Sequence, residues 1–109
     1  MSNIRISPQA QEDMQEIGAY ISEELKNPSA AKNVLRKIIT QIRTLEQFPK
    51  SGATLSSIVN VDTAYRFLVS GSYMVFYRYG EKHVYIDRAL YGRRDYLRIL
   101  FGDLPDENE

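Results

Sequence analysis

The chain has 109 residues, zero formal net charge, 43% hydrophobic and 26% charged residues, which is ordinary globular usage with room for one core. It contains no cysteine and a single histidine, His83, which excludes disulfides, thiolate metal sites and histidine-cluster metal centres; no metal or cofactor is expected. No run of about eighteen apolar residues occurs and residues 1–7 lack an apolar signal core, so no membrane partner and a cytoplasmic location are expected.

Asn3–Ile6 alternates, with Ile4 and Ile6 on one side, and predicts a short half-covered strand. Ser7-Pro8 starts a helix: serine caps free amides, and proline at the first position gives up only a donor that would be unpaired. Ala10, Met14, Ile17, Ile21 and Leu25 then form one apolar stripe at helical spacing. Asn27-Pro28 ends this helix and caps a second, whose stripe is Ala31, Val34, Leu35, Ile38, Ile42 and Leu45. So short a joint predicts a helical hairpin. Pro49-Lys50-Ser51-Gly52 stops it, and the stretch to Asp62 reads as a long loop.

Beyond that loop the period changes to two. Residues 65–69, 73–79 and 84–91 are rich in Val, Ile, Phe and Tyr, joined by short glycine-containing turns at Gly71 and Gly80, and predict an antiparallel meander. Gly92 closes it, and residues 93–101 read as a short helix with Leu97, Leu100 and Phe101 turned inward, ended by Gly102. The expected fold is therefore α+β, in the order β-α-α-β-β-β-(α), with the hairpin packed on one face of a small twisted antiparallel sheet and the opposite face left available. Residues 1–102 form the domain, and residues 103–109 an acidic tail with four carboxylates.

The zero net charge conceals a sorted distribution. Residues 64–102 hold seven bases (Arg66, Arg78, Lys82, Arg88, Arg93, Arg94, Arg98) and three acids (Glu81, Asp87, Asp95), a local balance of 7 − 3 = +4. Arg88 falls by alternation on the apolar side of Val84 and Ile86, where a charge needs a partner. Asp95 and Arg98, three apart, are placed for a surface ion pair. Five of the eight tyrosines (65, 73, 77, 79 and 85) lie in the first two strands and the start of the third, as either an aromatic platform or ordinary sheet cover.

The string Tyr65-Arg66-Phe67-Leu68-Val69-Ser70-Gly71-Ser72-Tyr73-Met74-Val75-Phe76-Tyr77-Arg78, followed by Ile86-Asp87-Arg88-Ala89-Leu90-Tyr91-Gly92-Arg93-Arg94-Asp95, resembles the C-terminal half of RelE/ParE superfamily toxins, which share this element order. The resemblance implies the toxin of a bacterial type II toxin–antitoxin module, a growth inhibitor silenced by a cognate antitoxin in a hetero-oligomer. Two targets stay open. A ParE-like member disables DNA gyrase by binding, and the segment from Leu90 to Asp95 leans that way. A RelE-like member cleaves messenger RNA on the ribosome without metal; its catalytic set here would be Arg66, Arg93, Arg94 and Tyr96, arginine gripping phosphate and tyrosine stacking or relaying a proton. Tyr91, Arg88, Arg98 and Tyr77 are the candidates for target or antitoxin binding. A third reading is an antitoxin-binding remnant that no longer poisons cells.

Overall fold

The computed structural model describes residues 2–102. Strand β1 (Asn3–Ile6) leads to α1 (Pro8–Ala19), a π-helical turn (Tyr20–Glu24) and α2 (Pro28–Thr44). Ser7 does two things at the first corner: its Oγ accepts the Ala10 N–H at 2.9 Å and donates to the Asp87 carbonyl at 2.8 Å, so the helix cap is also a tie to the last strand. At the second corner Lys26 takes a positive φ of 52° and Asn27 Oδ1 caps the Ala30 N–H. The π turn departs from the simple stripe expected of this helix. Its wider winding rotates Leu25 off the line of Ala10, Ile17 and Ile21, and leaves it 57% exposed.

Strands β3 (Arg66–Ser70), β4 (Tyr73–Tyr79) and β5 (His83–Tyr91) form the expected meander. Two residues of the anticipated loop, Ala53–Thr54, add a short edge strand β2 against β3, followed by a 3-10 turn, Leu55–Ser57. The sheet order is β1-β5-β4-β3-β2. It is mixed rather than wholly antiparallel: β1 runs parallel to β5, with Ile4 opposite Val84 and Ile6 opposite Ile86. The long connection through both helices and the meander gives the chain the length that a parallel pairing needs. A β-bulge between Phe76 and Tyr77 leaves Asp87 without an opposite residue, so the helix-facing set on β5 moves from Val84 and Ile86 to Ala89.

Both faces of the sheet are covered. The hairpin buries Ile17, Ile38 and Ile42 against Val75, Tyr77, Val84 and Ile86, and Gln41 Nε2 donates to the Val69 carbonyl at 3.0 Å to fix α2 over β3. On the other face, α3 (Tyr96–Phe101) and the 55–59 turn enclose Leu55, Phe76 and Leu90. The face expected to stay open is thus closed, because Tyr96, Leu97, Leu100 and Phe101 bring enough apolar surface to bury that side of the strands. Val75, Phe76 and Tyr77, three successive residues of central β4, are all fully buried.

Candidate functional site

A concavity of about 760 Å³ opens where the end of the hairpin meets the β3–β4 turn and the end of β5. Ile17, Ile21 and Val34 form its apolar floor; Tyr20, Leu25, Tyr73 and Tyr91 stand around it. Tyr20, Leu25 and Tyr91 are 54%, 57% and 41% exposed, an unusual concentration of large apolar side chains in water. The π turn creates this, since it begins with Tyr20 and is capped at its end by the displaced Leu25. Tyr73 meets Tyr91 edge to face at 6.0 Å. Burial first, then the neighbouring Tyr20 and Tyr91, raise the Tyr73 hydroxyl above its ordinary value, so it stays neutral. Glu16 and Arg94 supply charge at the walls.

One wall is held by a polar knot. Asp13, 5% exposed, accepts from Arg88 Nε and Nη2 at 2.7 and 2.8 Å and from the Ala89 N–H at 3.0 Å. The hydrogen bond to Asp13 raises the Arg88 guanidinium above its usual value, against the opposing pull of burial. Arg88 therefore joins α1 to the bulged strand, and the partner its apolar side demands lies 75 residues away in the chain.

The remaining arginines and tyrosines do not converge. Arg66 Nη1 donates to the Gly52 carbonyl at 2.7 Å and to the Lys50 carbonyl at 3.2 Å, while its guanidinium lies over Tyr79. It is a clasp on the 50–52 loop. Tyr77, expected at a binding surface, is fully buried: its hydroxyl donates to the Pro49 carbonyl at 2.8 Å and accepts the Gly52 N–H at 2.9 Å. That loop needs internal partners for its backbone groups, and a buried phenol supplies two. Burial raises the Tyr77 hydroxyl. Tyr96 packs on Phe76 at 5.1 Å within the second core. Arg93 and Arg94 are exposed in the turn after β5, and Arg98 pairs with Asp95 at 3.0 Å in the open, as the spacing predicts.

Register gives the separation. Arg66 is opposite Tyr77, and Tyr91 is opposite Tyr73, four residues along β4, or about 14 Å at ~3.4 Å per residue. His83 lies beyond the Tyr79–Val84 pair, at the far end from Arg93 and Arg94. Among the described residues, no cluster of three or more histidine or acidic side chains is placed to hold a metal, and no helix is long and apolar enough to cross a membrane.

A family model described as the ParE toxin of the type II toxin-antitoxin system, parDE, matches residues 4–96. The chain belongs to the ParE toxin family. A solved structure titled "Chromosomal ParDE TA system from P. aeruginosa" shares the ParE fold with it at a TM-score of 0.68 and 23% identity, over 82% of this chain and 94% of that one. No curated protein sequence matches significantly. The match through Tyr96 takes in both helices as well as the meander, so this ParE-family toxin is related along most of its described length.

Sequence reasoning missed three residues of this ParE-family fold. Asp13 was readable only as a demand, since a charged Arg88 on an apolar side calls for a carboxylate without saying where it lies. Gly52 carried no signal beyond the end of the hairpin, yet a Cβ there would stand 2.6 Å from the Tyr77 hydroxyl and 2.7 Å from the Phe67 carbonyl. Leu25 read as core, and the π turn makes it surface.

Proposed function

We propose that this ParE-family toxin acts by binding a protein target, DNA gyrase, and that a cognate antitoxin silences it by laying an apolar segment into the groove lined by Ile17, Tyr20, Leu25 and Tyr91. The observation that carries the binding reading is the dispersal of the arginines: Arg66 is committed to the loop carbonyls at one end of the sheet, and Arg93 and Arg94 stand at the other. Cleavage of a phosphodiester needs proton transfer and phosphate stabilisation at one point. Raised tyrosine hydroxyls supply no base near neutrality. A binding toxin needs neither, only exposed arginines and aromatic anchors.

For the antitoxin, the groove supports an amphipathic helix or extended segment whose apolar side chains enter between Tyr20 and Tyr91, with a hetero-oligomer as the resting state. The test is inducible expression in cells carrying a DNA-damage reporter, alongside labelled amino-acid incorporation and a supercoiling assay with purified gyrase. The DNA-damage response should rise before translation falls, and supercoiling should be inhibited. Early translation arrest with codon-positioned cuts in messenger RNA would overturn the gyrase reading; absence of growth inhibition by a folded, antitoxin-free protein would identify a remnant.

A further inference from the structure

The helical hairpin is sorted by charge. Residues 8–24, spanning α1 and the π turn, carry Glu12, Asp13, Glu16, Glu23 and Glu24 and no base, whereas α2 carries Lys32, Arg36, Lys37 and Arg43 and no acid. None of the four α2 bases meets a carboxylate within ion-pair distance among the described residues; Arg36 makes one long hydrogen bond, 3.4 Å to Asn33. Three of them, Lys32, Arg36 and Arg43, rim a shallow groove of about 530 Å³ whose floor is Leu35 and Ile39. The spacing 32, 35, 36, 39, 43 is one helical face.

We propose that this face is a second docking surface, taken by an acidic amphipathic segment of the antitoxin. The inference rests on the antitoxin reading of the first groove. Charge complementarity names the occupant: bases on one ridge with no carboxylate partner among the described residues favour carboxylates opposite them and repel a second copy of the same ridge. The aliphatic floor favours a protein segment over nucleic acid, because a phosphate backbone has no apolar group to place on Leu35 and Ile39. Continuity favours the same partner for both grooves. Val34 lines the first and Leu35, the next residue, lines the second, so a chain crossing the N-terminal half of α2 reaches both.

The test uses the full-length toxin and the purified product of the adjacent reading frame, with binding kinetics measured at 50 and 300 mM salt. Lys32→Glu, Arg36→Glu and Arg43→Glu together should weaken binding at least tenfold and abolish most of the salt dependence of association, with unchanged helix content and melting temperature. Lys32→Gln, Arg36→Gln and Arg43→Gln should do the same in smaller measure. A control with identical net charge, Lys37→Glu, Lys50→Glu and Lys82→Glu, should stay within threefold of the parent. Equal weakening by the control would reduce the effect to general attraction and overturn the proposal. So would unchanged binding by the triple variant while Leu25→Asp weakens it, an outcome that leaves the first groove's role intact. Failure of the parent toxin to bind the antitoxin at all would remove both readings. Binding of a 20-base-pair DNA duplex by the parent that the triple variant loses, with antitoxin binding intact, would also overturn the proposal and make this a nucleic-acid surface.

Discussion

Replacing Asp13 by alanine tests whether the Asp13–Arg88 knot holds α1 to the sheet. The change strands a guanidinium whose side chain is only 25% exposed and leaves the Ala89 N–H without its acceptor. Removing one partner of a buried pair costs about 3–5 kcal/mol; the quarter exposure of Arg88 lets water relieve part of that, leaving about 2–3 kcal/mol. The buried amide adds about 1 kcal/mol or more. A loss of about 4 kcal/mol is a large share of the roughly 5–15 kcal/mol that holds a domain of this size folded. Urea titration of the antitoxin-free protein, followed by circular dichroism, reads it directly. Asp13→Asn keeps an acceptor and should lose about half as much, and Asp13→Ala combined with Arg88→Ala should recover about 1–2 kcal/mol by removing the stranded charge. Arg98→Ala, at an exposed pair, is the comparison and should cost about 1 kcal/mol or less. If Asp13→Ala cost no more than Arg98→Ala, the assignment of this knot as the anchor of α1 would be wrong.

The 50–52 clasp gives two further tests. Tyr77→Phe orphans the buried Gly52 N–H and should cost about 1–3 kcal/mol by the same titration; Gly52→Ala drives a methyl into the Tyr77 hydroxyl and should cost a similar amount, with the loss visible as faster amide exchange in the loop. Tyr65 governs alkaline stability. Its hydroxyl is pushed up to about 12, first by burial and then by Asp87, so the fold favours the neutral phenol. That contribution is complete below the unfolded value near 10 and is lost as pH climbs from 10 toward 12; Tyr65→Phe should flatten the stability curve in that window. Leu25→Asp or Tyr20→Asp places a charge among the exposed apolar groups of the groove and should weaken antitoxin binding by ten- to a hundredfold, measured by calorimetry, while the melting temperature holds.

Local chemistry was legible wherever it was decided locally. Ser7-Pro8 and Asn27-Pro28 do start the helices, and the meander lies where Val, Ile, Phe and Tyr alternate. Long-range pairings were not, because period-two alternation fixes which side of a strand is apolar but says nothing of the neighbouring strand's direction; hence the parallel β1. The closed second face was half visible, since inward Leu97, Leu100 and Phe101 were expected, but their destination on Phe76 and Leu90 was not. Of the site, Arg94 and Tyr91 were named and do line the groove. Arg66 and Tyr77 were read as surface chemistry because a polar group serving backbone carbonyls looks, in sequence, like one serving a ligand. The expected acidic tail lies outside the described residues.

The parallel pairing of Asn3–Ile6 with residues 83–86 sets a schedule for biogenesis. The first strand has no seat until a stretch some eighty positions later has emerged from the ribosome, roughly 4–16 s afterwards at ~5–20 residues per second. During that interval the nascent hairpin carries Ile17, Ile38 and Ile42 with no sheet beneath them, a ready substrate for chaperones. A message broken upstream of His83 yields a polypeptide without β5, and so without the Ala89, Leu90 and Tyr91 wall of the first groove.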